Sequence, residues 1–160
     1  MMLAALRSST LVAATVTMGL LAGLFFAFAM SVMPGLSRTD NRVFVEAMQQ
    51  INVAILNPWL ALILAGPPVF AIITAVLHFQ AGQRPPVAWI GTALVLYVIA
   101  LLITIGINVP LNDALAAAGP ARQIPDVGAV RNHFETAWVH WNIARAVAST
   151  AAFTLLCIVR

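Results

Sequence analysis

Four stretches of mostly apolar residues, at 10–32, 58–79, 87–109 and 138–159, limit what this chain can fold into more than anything else in it. A helix rises about 1.5 Å per residue, so about 20 residues cross the roughly 30 Å hydrocarbon layer of a bilayer. Backbone amides in lipid must bond one another, which leaves helices or closed barrels, and uninterrupted apolar runs of this length read as helices. Composition points the same way: 62% of the 160 residues are hydrophobic and 8% charged, against about 25% charged in soluble domains. The expected fold is all-α: one domain, residues 1–160, forming an integral membrane four-helix bundle with the bilayer as its first partner.

The boundaries of the spans carry local signals. Asn57-Pro58 is a capping residue followed by proline at the first helical position. Pro34-Gly35 is expected to close the first span and Pro110 the third. The apolar run at 11–30 is longer than the ~7–15 residues of a signal core, so it reads as a retained span. The short turn at 80–86 makes the second and third spans antiparallel neighbours. Gly19 and Gly23, with Ala27, put small residues on one face of the first span, suited to close helix packing. Phe44, Ala47, Met48, Ile51 and Ile55 follow helical spacing after Asp40 or Asn41. They predict an amphipathic helix in the first long loop, lying on the interface or over the bundle mouth. Helix is expected to resume near Asp126 and feed the fourth span. Gly66-Pro67-Pro68 predicts a kink with carbonyls near Ile63 and Leu64 left without helical donors.

Charge is sparse and uneven. Eight arginines and no lysine face five acids, scattered among apolar neighbours, which excludes a nucleic-acid surface. Four spans bring both termini to one end, with Arg7, Arg84 and Arg160 and no acid. Arginine density there predicts cytoplasmic termini in a multi-pass protein of the cell (inner) membrane. The lone Cys157 can form no intrachain disulfide and reads as a small buried apolar residue.

Polar side chains collect at the opposite end. In the last helix, Arg131, Phe134, Glu135, Trp138, Trp141, Asn142 and Arg145 fall within about 120° of one another at 100° per residue. Gln49, Gln50, Asn52, Asn57, Asn108, Asn112 and Asp113 lie at the same end, with Trp59, Phe25, Phe26 and Phe28 at similar depth. Apolar walls with a few convergent polar groups describe a small-molecule pocket between bundle helices. The plainer alternative is an interfacial belt, which suits Trp59 and Trp89. Arg145 sits about two turns beyond Trp138, deeper than a belt residue needs. It points to a ligand, unless it pairs with Glu135 or Asp113 from another helix or snorkels to the surface. Glu135 itself is about 15 Å of helix rise away, too far for contact on the same helix. His133 and His140 are seven residues apart and off the stripe, a spacing that does not suit two ligands of one metal, so no metal site is expected.

Three motifs together resemble the anthrone-oxygenase-like family of small four-helix membrane proteins: Gln50-Ile51-Asn52, Asn108-x-Pro110-x-Asn112-x-x-Leu115, and Arg131-x6-Trp138-x-x-Trp141-Asn142-x-x-Arg145. The resemblance extends over essentially the whole chain. It implies oxidation of a polycyclic aromatic or similar lipophilic substrate by O2, the reaction for which the family is named. An anthrone that loses a methylene proton becomes electron-rich enough to reduce oxygen itself. The protein then supplies a flat slot, a base and a positive group for the oxyanion. On that reading Arg145 stabilises the oxyanion, and Glu135, Asp113 or His140 is the base. Trp138, Trp141, Asn142, Asn112, Asn108, Asn52 and Trp59 bind the substrate. No cofactor is expected, with a metal or haem left open, and a homo-oligomer is a possible assembly. The rival reading is a non-enzymatic membrane accessory protein, or a binder of a lipophilic ligand.

Overall fold

The computed structural model describes residues 2–159, so Arg160, counted above with the basic end, lies outside the described residues. The chain is helical throughout, with no strand among those residues. Helix α1 (Met2–Ala27) runs through a π-helical turn, Phe28–Val32, into α2 (Met33–Leu36). Helix α3 (Asn41–Ala54) follows, then α4 (Pro58–Gln80) and α5 (Arg84–Ile103). A second π turn, Thr104–Asn108, leads into α6 (Val109–Ala117), and a 3-10 turn, Ala121–Gln123, precedes α7 (Val127–Ile158). Four rods are long and apolar enough to cross a membrane: Met2–Leu36, Pro58–Gln80, Arg84–Ala117 and Val127–Ile158. The protein is therefore a multi-pass membrane bundle. Helix α1 packs against α4 and α7, and α5 packs against the same two, which closes a ring of four.

One expected boundary holds and one is corrected: the first rod closes at Leu36, directly after Pro34-Gly35, whereas Pro110 sits in the first turn of a helix that continues to Ala117. Each proline follows a π turn, in which the N–H of Met33 reaches Phe28 O and that of Val109 reaches Thr104 O. The extra residue in a π turn shifts the carbonyl that a proline ring would strike, so the helix absorbs the proline. In α4, Pro67 and Pro68 also lie inside a continuous helix. The carbonyl of Leu64, which loses its donor to Pro68, accepts a hydrogen bond from the Tyr97 hydroxyl of α5. That freed carbonyl is a helix-to-helix tie.

Two clusters fill the interior. The membrane half holds Ala14, Met18, Leu21, Ala93, Tyr97 and Leu156 among others. There α1 meets its neighbours closely. A Cβ on Gly66 would lie 2.7 Å from Thr17, and one on Gly19 would lie 2.9 Å from Phe153. Gly23, on the same face as Gly19, has open space around it. The second cluster, Met33, Phe44, Val45, Met48, Leu115, Phe134 and Trp138, sits at the loop end. There α3 folds over the bundle mouth, the second of the two placements expected for it. Asp40 caps α3 by accepting from Arg42 N and Val43 N, and Asp126 caps α7 by accepting from Ala129 N. Cys157 is exposed on the outer face of α7, not buried as expected. The outer face of a membrane bundle is itself apolar, so an apolar residue carries no inward preference there.

Candidate functional site

The buried residues of α7 at its loop half, Arg131, Phe134, Trp138, Asn142 and Arg145, recur every three or four positions and form one stripe facing the bundle. Both π turns pack on this stripe. Such turns splay the backbone and present side chains that a regular helix would turn aside.

Arg131 stands at the outer end of the stripe. Its Nε donates to Glu135 Oε2 at 2.6 Å. Its other nitrogens donate to the carbonyls of Thr39 and Ser37, both at 2.9 Å, and to Asn41 Oδ1 at 3.1 Å. The guanidinium also lies 4.4 Å from the centre of the Phe44 ring. One side chain thus ties α7 to the segment between α2 and α3, and its charge is met by a carboxylate.

Trp138 occupies the middle. Its ring stacks on Phe134 at 5.9 Å and tilts against Phe28 at 5.5 Å. The indole N–H donates to Asn112 Oδ1 at 2.8 Å, and Asn108 Nδ2 donates to the Trp138 carbonyl at 3.2 Å. The Asn108 carbonyl oxygen is buried with no partner among the described residues, and so is Asn52 Nδ2. A buried acceptor left open costs about 1–3 kcal/mol and calls for a donor from elsewhere.

Arg145 lies deepest and is 7% exposed. Its Nε and Nη2 donate to Asn142 Oδ1 at 3.2 and 3.1 Å, and Nη1 donates to Thr104 Oγ1 at 3.3 Å. Asn142 is held in turn by donating to the Phe25 carbonyl at 3.1 Å. The guanidinium lies 4.1 Å from the centre of the Phe25 ring and 5.2 Å from that of the Trp138 ring. Among the described residues no carboxylate pairs with it. Two aromatic faces and neutral acceptors compensate part of the burial of the charge, leaving its electrostatic demand incompletely met.

The sequence-derived candidates divide accordingly. Arg145, Trp138, Asn142, Asn112 and Asn108 come together. Glu135 is on the same stripe but is engaged by Arg131. Asn52 is half-buried on α3. Asp113 and His140 are exposed, and Trp141 and Trp59 are 41% and 75% exposed on the outer surface. None of Glu135, Asp113 and His140 forms an ion pair or hydrogen bond with Arg145 among the described residues. Among those residues, too, no three His, Cys, Asp or Glu side chains gather. Thr104 was missed by sequence reasoning. Its signal was four-residue spacing from Asn108 within an apolar run, which puts both polar groups on one face.

An integral membrane four-helix bundle with an aromatic-walled arginine at the depth of two π turns is the class this geometry defines. The sequence pattern described as "Anthrone oxygenase" matches residues 59–155, and the chain belongs to that family. The match takes in Asn108, Asn112, Arg131, Trp138, Asn142 and Arg145; α1 and Gln50-Ile51-Asn52 lie before it. No curated protein and no solved structure matches the chain.

Proposed function

We propose that this protein is a membrane oxygenase that oxidises a polycyclic aromatic or similar lipophilic ketone with O2, without a bound cofactor. The observation that carries this reading is Arg145: buried, flanked by aromatic rings, with its charge unmatched by any acid among the described residues. A guanidinium placed in this way favours an enolate over the neutral ketone, because only the enolate brings the missing negative charge. The gathered donors are guanidinium, amide and hydroxyl groups, a set suited to holding an oxyanion.

The chemistry balances with O2 as the only oxidant. An activated methylene loses a proton, and its electrons delocalise onto the carbonyl oxygen facing Arg145. The carbanion reduces O2 and combines with it to give a peroxide. The peroxide takes up a proton and loses water, leaving a second carbonyl. Net, substrate plus O2 gives quinone plus water. Asn108 Oδ1 is the acceptor assigned to the O–H of the protonated peroxide. Among the three candidate bases only Glu135 lies on the buried stripe, so it is the first to test. In this reading the protein sits in the cell (inner) membrane with cytoplasmic termini.

The test is oxygen uptake and quinone absorbance on adding an anthrone to purified protein, beside Arg145→Ala and Trp138→Ala. Turnover above buffer that both variants abolish supports the reading. Rates equal to buffer, or unchanged in the variants, leave the non-enzymatic ligand binder.

A further inference from the structure

Arg145 is buried, and the Phe25 and Trp138 rings lie against its guanidinium. A ring that is to reach the guanidinium must displace one of them. Trp138 is pinned by its N–H to Asn112 and by its stacking on Phe134 and Phe28. Phe25, three residues before the π turn at Phe28–Val32, is buried, but its ring has no hydrogen bond and pairs with no other ring among the described residues, so less holds it than holds Trp138.

A groove of about 470 Å³ lies on the outer face between α1 and α7. Phe26 and Ala29 form one wall, and Ala146, Val147, Thr150 and Ala151 are on the other. Its residues are chain neighbours of the site: Phe26 follows Phe25, Ala29 follows Phe28, and Ala146 follows Arg145. Helices α1 and α7 touch at Gly19 and Phe153 and again where Asn142 Nδ2 donates to the Phe25 carbonyl. The mouth, in contrast, is latched. Arg131 fastens the segment before α3 to α7, and Gln49 Nε2 on α3 donates to the Leu115 and Gly119 carbonyls at 2.9 and 3.0 Å.

We propose that the lipophilic ring compound enters sideways from the bilayer through the α1–α7 groove, and that Phe25 is the gate. Its ring lies on Arg145 in the closed state and yields that position to an aromatic ring of the ligand. This rests on the oxygenase reading for the identity of the ligand, and goes beyond it in fixing the route and the gate. A flat hydrocarbon ring concentrates in lipid, the groove is open to lipid, and the cation behind Phe25 attracts an aromatic face in place of the one displaced.

The test uses the full chain in phospholipid nanodiscs with Trp138 as the only indole. Trp59→Phe, Trp89→Phe and Trp141→Phe remove the three exposed ones. Quenching of Trp138 by 9,10-anthraquinone is followed by stopped flow. It is expected to saturate, to slow by about tenfold or more when Ala151→Phe or Thr150→Phe fills the groove, and to quicken in Phe25→Ala. Loosening the mouth with Gln49→Ala is expected to leave the rate alone. Equal rates in the filled and open forms, faster quenching in Gln49→Ala alone, or quenching that never saturates (a groove holding only acyl chains) each overturns the proposal. Oxygen uptake on adding an anthrone to the same samples separates the two readings. Groove-dependent quenching without uptake retires the oxygenase and keeps the entry route.

Discussion

Arg131 and Arg145 stand on one face of one helix, about 21 Å apart along its axis, and the structure uses them in opposite ways. Arg131 has a carboxylate at 2.6 Å and three further acceptors from the segment it clamps. Arg145 has a neutral amide, a hydroxyl and two ring faces. The first is an architectural charge, because its removal leaves a part-buried carboxylate without its counter-charge. The second is an unpaired charge, because nothing among the described residues depends on it for neutrality. Burial alone does not tell the two arginines apart; the missing acid does.

Four substitutions sharpen or break this contrast, taken from the largest effect downward. Arg131→Ala leaves Glu135 unpaired and frees the Ser37 and Thr39 carbonyls, with an expected loss of about 3–5 kcal/mol, read as thermal unfolding in detergent. Arg145→Met is expected to reduce quinone formation from an anthrone by about a hundredfold or more, while thermal stability falls by no more than about 1–3 kcal/mol, since losing the unpaired buried charge offsets the orphaning of Asn142 Oδ1. Should Arg145→Met unfold the protein as badly as Arg131→Ala, the two arginines are alike and the contrast fails. Glu135→Gln keeps a neutral acceptor for Arg131 and is expected to cost about 1–3 kcal/mol in the same unfolding assay. Its effect on turnover at constant folded fraction reports whether Glu135 also serves as the base. Tyr97→Phe, in the apolar half, orphans the Leu64 carbonyl for about 1–2 kcal/mol, with no expected change in ligand quenching.

How much of this was legible beforehand follows from what each signal depends on. The spans, the caps at Asp40 and Asn57, the helix start near Asp126 and the amphipathic α3 were readable because hydropathy and capping are local. The α7 stripe was readable because helical periodicity alone puts Arg131, Trp138, Asn142 and Arg145 on one face. Trp141 was assigned to the same stripe but lies at its edge, 41% exposed, because a wheel gives an angle and not a neighbour. The proline at 110 misled because a π turn has no recognisable sequence cue. Cys157 misled because apolar character says nothing about facing inward when the solvent is lipid.

The sequence by itself determined a four-span helical bundle, the end at which its polar groups collect, and the family it belongs to. The first two follow from periodicity and hydropathy along a single chain, and the third from its resemblance to the family pattern. Only the tertiary structure decided which buried arginine has an acid and which does not, that α3 is latched over the mouth, and that Phe25 covers Arg145. Those facts are distances between residues as many as 120 positions apart, and no one-dimensional pattern encodes them.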